Sequence, residues 1–214
     1  LSAFEFMSRD TLDLVKSTTP AFSIPIQSDS NCLILVEVES REGSLLDLKE
    51  RLAMQIDEIS SSSAELVEDA VIGPAAELWS IRHALSEGVM RAGPTLRFDI
   101  SVPRRRLPDL RDFVVAEFAT DSVVASEFGH WGDGGTHLAI VYLDGELPED
   151  ALEIRERIYD EVVLRLGGSF SSEHGLGRHN ARFYERYVPE LDRALEAQLK
   201  SLLDPRGVWG TRPF

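Results

Sequence analysis

The stretch SVVASEFGHWGDGGTHLAIVYL, residues 122–143, contains two apolar runs joined by a segment with four glycines. Apolar and β-branched residues in runs of this length are typical of strands. Glycine tolerates the backbone conformations of tight turns, so the central segment can reverse the chain. The stretch therefore predicts an antiparallel strand pair, with strands near 122–129 and 137–143.

The remaining chain alternates between strand-like and helix-like patterns. Further strands are predicted near 32–39, 64–71 and 95–101, with a short one near 168–172. Helices are predicted near 44–60, 75–91, 107–119, 149–166 and 178–203, where apolar residues recur three and four positions apart. With the strand pair, this order favours an α+β fold, a two-layer sandwich with a mostly antiparallel sheet. A doubly wound nucleotide-binding fold is disfavoured, because no strand precedes a GxGxxG or GxxxxGK[ST] turn.

Composition narrows the class of protein. The chain has 214 residues, 43% of them hydrophobic, and 37 acidic against 22 basic residues give a formal net charge of −15. Such a charge repels nucleic acid and anionic membrane surfaces. The apolar runs at 32–36 and 138–143 are too short to span a bilayer. Cys32 is the single cysteine, so no internal disulfide forms, and LSAFEFMS lacks the pattern of a signal peptide. We expect a cytoplasmic protein.

Two glycine-rich stretches carry three of the five histidines. The turn at 129–137 brings His130 and His137 together, and the stretch at 167–177 holds Glu173 beside His174. Two imidazoles and one carboxylate are the ligand set of many catalytic zinc sites. His174 points away from Glu173 on an extended chain and is free to move protons near neutral pH. A plain hairpin with surface histidines is the alternative.

Three segments, GHWGDGGTH, SSEHGLG and LDPRGVW, resemble in order and spacing the C-terminal signature of the FAD-linked oxidases of the vanillyl-alcohol oxidase superfamily. The nearest branch is the D-lactate, D-2-hydroxyglutarate and glycolate dehydrogenase group. LSAFEFMS, ELWSIRHALSEG and LRFDISVPRRRLPDL are similar to the cap region of that group. The resemblance implies a ferredoxin-like cap domain at 1–175 and a small helical lobe at 176–214. It also implies that FAD is held mainly by an N-terminal domain absent from this chain.

The resemblance further implies roles for individual residues. It implies that His130, His137 and Glu173 bind a metal, zinc or manganese. It implies that His174 acts as the catalytic base. Arg82 is expected to bind the substrate carboxylate, with Ser86 and Arg97 as weaker candidates. Glu173 and Gly210 are expected to contact the flavin. The alternative for Arg82 is an ordinary arginine on a helix surface. Four positions depart from the pattern of the family: Gly135, Ala139, Asn180 and Gly210.

The sequence thus predicts the substrate- and metal-binding half of a flavin-dependent dehydrogenase. Its reaction is the oxidation of a small D-2-hydroxy acid to the 2-oxo acid, with hydride transfer to FAD. The expected partners are this substrate, a flavin-binding domain and an electron acceptor, and a homodimer is compatible with the pattern. Two alternatives stay open: a non-catalytic subunit that pairs with a flavin-carrying partner, and a metal-dependent hydrolase that uses the same histidines.

Overall fold

The structure is a computed structural model that describes residues 1–26, 29–39, 45–62, 67–177 and 180–208. Its strands are β1 Ala3–Ser8, β2 Cys32–Glu37, β3 Thr95–Ser101, β4 Val123–Gly129 and β5 Gly135–Tyr142. Its α-helices are α1 Arg9–Thr18, α2 Leu45–Ser62, α3 Ala75–Ala92, α4 Leu107–Phe118, α5 Ala151–Asp160, α6 Ala181–Tyr187 and α7 Glu190–Leu203. A short 3-10 helix, Arg104–Arg106, precedes α4, and a π-helical turn, Glu161–Arg165, extends α5.

The strands form one sheet in the order β2-β1-β4-β5-β3. Each neighbouring pair is antiparallel, and β4 and β5 are the strand pair expected from residues 122–143. The α+β class and the antiparallel sheet are confirmed. This topology places the turn between β4 and β5 at one end of the sheet, between β1 on one side and β3 on the other.

Helices cover both faces of this sheet, which is one layer more than a two-layer sandwich has. Side chains alternate along a strand, so successive residues of β5 face opposite sides. Leu138 and Ile140 pack with α4 and α5 in one apolar cluster. Ala139 and Val141 pack with α1 and α3 in the other. The candidate site residues of β5 lie on the α1–α3 face.

Two predicted strands and one predicted helix need correction. The expected strand at 64–71 is wrong where the structure describes it, because residues 67–71 are in no strand, and residues 63–66 lie outside the described part. The expected strand at 168–172 is reduced to one isolated bridge between Ser101 and Ser169. The expected helix at 178–203 is two helices, because Pro189 lacks the N–H that a continuous helix requires.

The first strand and the first helix were not predicted from the sequence. In β1, AFEFMS, the buried positions include the acidic Glu5, which hides the apolar pattern of a strand. Helix α1 begins directly after β1, and the Ser8 side chain caps it by accepting a hydrogen bond from the Thr11 N–H at 3.3 Å. No loop separates the two elements, because Ser8 is both the last residue of β1 and the N-cap of α1.

Candidate functional site

The turn between β4 and β5 is held in a shape that only glycine permits at one position. Gly134 has a φ of +99°, and a Cβ there would lie 2.3 Å from the Val102 carbonyl oxygen. The Asp133 side chain accepts a hydrogen bond from the Gly135 N–H at 2.8 Å, which closes the turn. His130 and His137 leave the two ends of this turn with ring centroids 5.5 Å apart. The sequence therefore predicted correctly that the turn brings the two histidines together.

The strand register sets the neighbours of His137. His137 lies opposite Phe128 of β4 and opposite Asp99 of β3. Directly opposed residues of an antiparallel pair point to the same face of the sheet. Asp99 therefore stands beside His137, and its Oδ1 lies 3.8 Å from His137 Nδ1.

Asp99 also anchors the segment that carries Glu173 and His174. Its Oδ2 accepts hydrogen bonds from the N–H groups of Glu173 and His174 at 2.9 and 2.7 Å. Its backbone carbonyl accepts a third, from the Ser172 N–H, at 3.0 Å. These three bonds lay the SSEHG segment across the end of β3, so residues distant in sequence meet on one face.

The imidazoles converge on the Glu173 carboxylate. His137 Nε2 lies 3.2 Å from Oε1 of Glu173, and His130 Nε2 lies 3.6 Å from Oε2. His174 Nε2 lies 3.4 Å from the same Oε1 as His137, and the His137 and His174 rings stack with centroids 5.5 Å apart. One ligand atom from each of Asp99, His137, Glu173 and His174 falls within 4.8 Å of all the others.

Among the described residues, Asp99, His137, Glu173 and His174 form a group that could hold a metal ion, and His130 is not part of that group. Tetrahedral bonds of about 2.1 Å place neighbouring ligand atoms about 3.4 Å apart. The contacts of Glu173 with His130 and His137, at 3.6 and 3.2 Å, bracket that value. Imidazole and carboxylate donors suit zinc, and they suit manganese as well.

The surroundings of His137 favour its neutral form. Burial lowers the pKa of His137, and the positive charge of Arg82 lowers it further, while Glu173 and Asp99 act in the opposite direction. A metal binds the neutral imidazole, because a protonated ring nitrogen has no free lone pair. The lowered pKa of His137 therefore favours a ring with a free nitrogen lone pair.

Arg82 is buried on α3 and not an ordinary surface arginine, as only 8% of it is exposed. Its guanidinium lies over the Phe128 ring, 4.7 Å from the centroid, and its Nε donates to Oε2 of Glu5 at 2.6 Å. The other carboxylate oxygen of Glu5 lies 2.6 Å from His130 Nδ1. The buried Glu5 therefore joins Arg82 to one of the metal-ligand candidates.

The remaining predicted site residues are less closely placed. Ser86 is exposed on α3, one turn after Arg82. Arg97 is exposed on β3, and its register position faces the same side of the sheet as Asp99, two residues further on. Gly210 lies outside the described residues.

Three of the four residues that depart from the family pattern lie in the described part of the chain, and each has defined surroundings there. A Cβ at Gly135 would lie 3.1 Å from Asp133 Oδ1 and 3.3 Å from Ser172 Oγ, so a larger side chain would press on the turn. Ala139 is buried in the α1–α3 cluster, where an asparagine would need a polar partner. The Asn180 Oδ1 accepts a hydrogen bond from the Tyr159 hydroxyl at 2.9 Å, so it ties α6 to α5.

The site is open on the side of His174. The His174 side chain is 67% exposed. Gly175 and Gly177 follow it with φ of +70° and +54°, and a Cβ at either glycine would meet no atom within 4 Å. The described segment around His174 is therefore exposed.

The chain matches one protein family over nearly its whole length. The family described as "FAD linked oxidases, C-terminal domain" matches residues 1–210. The chain belongs to this family. It is 31% identical over 214 residues to the mitochondrial D-2-hydroxyglutarate dehydrogenase of Arabidopsis thaliana, covering 97% of this chain and 37% of that protein. It is 31% identical over 212 residues to the Bos taurus protein of the same name, covering 97% and 38%.

An uncharacterized FAD-linked oxidoreductase of Mycobacterium tuberculosis is 27% identical over 201 residues, covering 91% of this chain and 42% of that protein. The chain spans less than two-fifths of the length of the two dehydrogenases it matches. In the described part of the chain, no helix is long and apolar enough to cross a membrane.

The sequence did not predict Asp99 and Glu5 as site residues. Each is an acidic residue inside an otherwise strand-like run, LRFDIS for Asp99 and AFEFMS for Glu5.

Proposed function

We propose that this chain is the substrate- and metal-binding half of a flavin-dependent dehydrogenase that oxidises a small D-2-hydroxy acid to the 2-oxo acid. The observation that carries the proposal is the convergence of His130, His137 and His174 on the Glu173 carboxylate. Membership in the FAD-linked oxidase family supports the flavin, and the two dehydrogenases with 31% identity support the substrate class.

The metal-ligand set in this proposal is His130, His137 and Glu173. When bound, a divalent metal supplies Lewis-acid polarisation of the substrate hydroxyl, and FAD supplies the acceptor for the hydride. Burial lowers the pKa of His137 and so favours its neutral form, and His130 presents Nε2 toward Glu173. A chelator should therefore abolish activity without unfolding the chain.

His174 is the proposed base. Its imidazole takes the hydroxyl proton as the carbon-bound hydrogen leaves with its electron pair, so the C–O single bond becomes a carbonyl. Asp99 supports this role, because its carboxylate lies 3.6 Å from His174 Nδ1 and accepts the His174 N–H. The ring stays in contact with His137, and most of its surface is exposed.

Arg82 is the residue proposed to bind the substrate carboxylate. Its Nε is already held by Glu5, so binding falls to the two terminal nitrogens, which present a planar fork suited to a carboxylate. Arg97 and Ser86 extend the same face and are proposed as outer contacts for a longer substrate. Gly210 and Glu173 are proposed to border the flavin.

The test is anaerobic flavin bleaching in the protein that includes its flavin-binding domain. We expect D-2-hydroxy acids to bleach the flavin, their L-enantiomers to bleach it far more slowly, and a chelator to stop the reaction. Returning zinc or manganese should restore it, and a separate electron acceptor should reoxidise the flavin. Flavin that binds and never bleaches with any acid of the panel would instead identify a non-catalytic subunit.

A further inference from the structure

Glu5 is a buried carboxylate with a close partner on each of its two oxygens. Its side chain is 2% exposed, and both of its oxygens are engaged at 2.6 Å, Oε1 by His130 Nδ1 and Oε2 by Arg82 Nε. Burying a carboxylate costs several kcal/mol unless charged or hydrogen-bonding partners compensate for the lost water. Such a residue in the interior of β1 points to a role that an apolar side chain could not fill.

The strand register explains how Glu5 reaches both partners. Phe6 of β1 pairs with Gly129 of β4, so the next residues along the two strands, Glu5 and His130, come side by side. Arg82 approaches from α3, which packs on this face of the sheet through Ile81 and Leu85. Glu5 therefore sits where a strand, a turn and a helix meet.

The contact with Glu5 determines which nitrogen of His130 is available. A carboxylate can only accept a hydrogen bond, so His130 donates its Nδ1–H to it. With the proton on Nδ1, Nε2 is the nitrogen that offers a lone pair, and this atom faces Glu173 at 3.6 Å. A carboxylate behind a metal-binding histidine is known to orient the ring and raise its basicity.

The Glu5 carboxylate also fixes the orientation of the Arg82 guanidinium. With Nε held at 2.6 Å and the guanidinium plane lying over the Phe128 ring, the orientation of the terminal nitrogens is set before any ligand arrives. A preoriented fork loses less side-chain entropy when it binds a carboxylate.

We infer that Glu5 is a positioning residue that holds the metal ligand His130 and the carboxylate-binding Arg82 in one geometry. This inference rests on the proposed function. Glu5 itself touches neither metal nor substrate, and it acts through both of its partners at once. Metal affinity and substrate affinity should therefore change together when Glu5 is altered.

Glu5→Gln is the most informative variant, because it keeps the size of the side chain. Arginine has no acceptor, so the amide oxygen must face Arg82 and the amide NH2 must face His130. His130 Nδ1 then becomes an acceptor and Nε2 carries the proton, which removes the lone pair that a metal requires. Glu127→Gln is the matched control, because Glu127 is 1% exposed and lies on the opposite face of the sheet.

The experiment measures zinc affinity by chelator competition in the protein with its flavin-binding domain. We expect Glu5→Gln to weaken zinc binding about 10- to 100-fold, the range for partners behind metal ligands. We expect Glu127→Gln to leave zinc binding unchanged. The substrate KM should rise in Glu5→Gln, and the ¹⁵N shifts of His130 in the metal-free protein should show the proton moved from Nδ1 to Nε2.

A double-mutant cycle with His130→Ala separates positioning from general damage to the fold. In the His130→Ala background, Glu5→Gln should no longer affect zinc affinity, and a loss of the same size there would overturn the inference. If Glu5→Gln does not fold, Glu5→Asp tests the same role: it keeps the Nδ1–H tautomer, but its shorter side chain cannot hold both partners at 2.6 Å, so zinc affinity and substrate affinity should still fall together. Wild-type protein that binds no zinc would refute the metal site of the proposed function. Wild-type binding with an unaffected Glu5→Gln would refute only the role of Glu5.

Discussion

Replacing Asp99 tests whether one side chain holds the base and a metal-ligand candidate in place. Asp99→Ala removes the acceptor of two N–H groups, those of Glu173 and His174, at 2.9 and 2.7 Å. Hydrogen bonds to a charged acceptor contribute about 1.5–3 kcal/mol each. Both freed groups lie in an exposed segment where water can replace the lost partner, so the lower end applies, about 3 kcal/mol for the pair.

This loss should appear as local opening of the segment at 171–175, because the Ser172 N–H still donates to the backbone carbonyl of residue 99. At about 1.4 kcal/mol per factor of ten, the amides of Glu173 and His174 should exchange about 100-fold faster with deuterium. Asp99→Asn keeps an oxygen that can accept both bonds but loses the charge, so we expect an intermediate effect of about tenfold.

Hydrogen–deuterium exchange measured by mass spectrometry on a peptide that covers 170–177 reads this change directly. Asp109→Ala is the control, because it removes an acidic side chain from an exposed ion pair with Arg106. Unchanged exchange of the segment in folded Asp99→Ala would refute the anchoring role. Equal acceleration across the whole chain would show that Asp99 supports global stability and not this segment.

Three further predictions follow from single contacts. A Cβ at Gly88 would lie 2.6 Å from Val15 Cγ1, so Gly88→Ala should lower the free energy of unfolding by about 1–3 kcal/mol, and urea unfolding should show partial rescue by Val15→Ala. His174→Asn should lower kcat about 10²- to 10⁴-fold in the flavin-loaded protein and leave zinc affinity within a few-fold of wild type, whereas a loss of zinc would reassign His174 as a ligand. Burial raises the pKa of Glu127 above 4.5, so the folded state holds its proton more tightly than the unfolded state. The free energy of unfolding should therefore fall as pH rises from about 4.5, by about 1.4 kcal/mol for each pH unit up to the folded pKa, and Glu127→Gln should remove this slope.

The sequence predicted the elements whose pattern is local. Strand β3 was expected at 95–101 and lies there, and the four-glycine segment was read correctly as a turn that joins two strands. The π-helical turn after α5 falls inside a helix expected at 149–166. In each of these cases apolar spacing and turn residues within one short window carry the information.

The partners of the site could not be found this way, because they depend on register. Asp99 reaches His137 through the pairing of β3 with β5, and Glu5 reaches His130 through the pairing of β1 with β4. Neither pairing has a signal in a single window of sequence. The histidines and Glu173 were found because glycines cluster around them, whereas Asp99 and Glu5 stand alone in strands.

Glu5 and Glu127 show how partners decide the use of a buried carboxylate. Both are almost fully buried in neighbouring strands, on opposite faces of the same sheet. Glu5 meets a guanidinium and an imidazole at 2.6 Å, so a charged form is compensated and can orient what it touches. Glu127 meets the neutral donors of Trp131 and Thr136 through Oε1, and its Oε2 lies 3.7 Å from the Arg111 guanidinium, farther than the partners of Glu5. Desolvation therefore dominates at Glu127 and raises its pKa. The histidines lie on the face of the sheet that carries Glu5, whereas Glu127 lies on the face covered by α4 and α5.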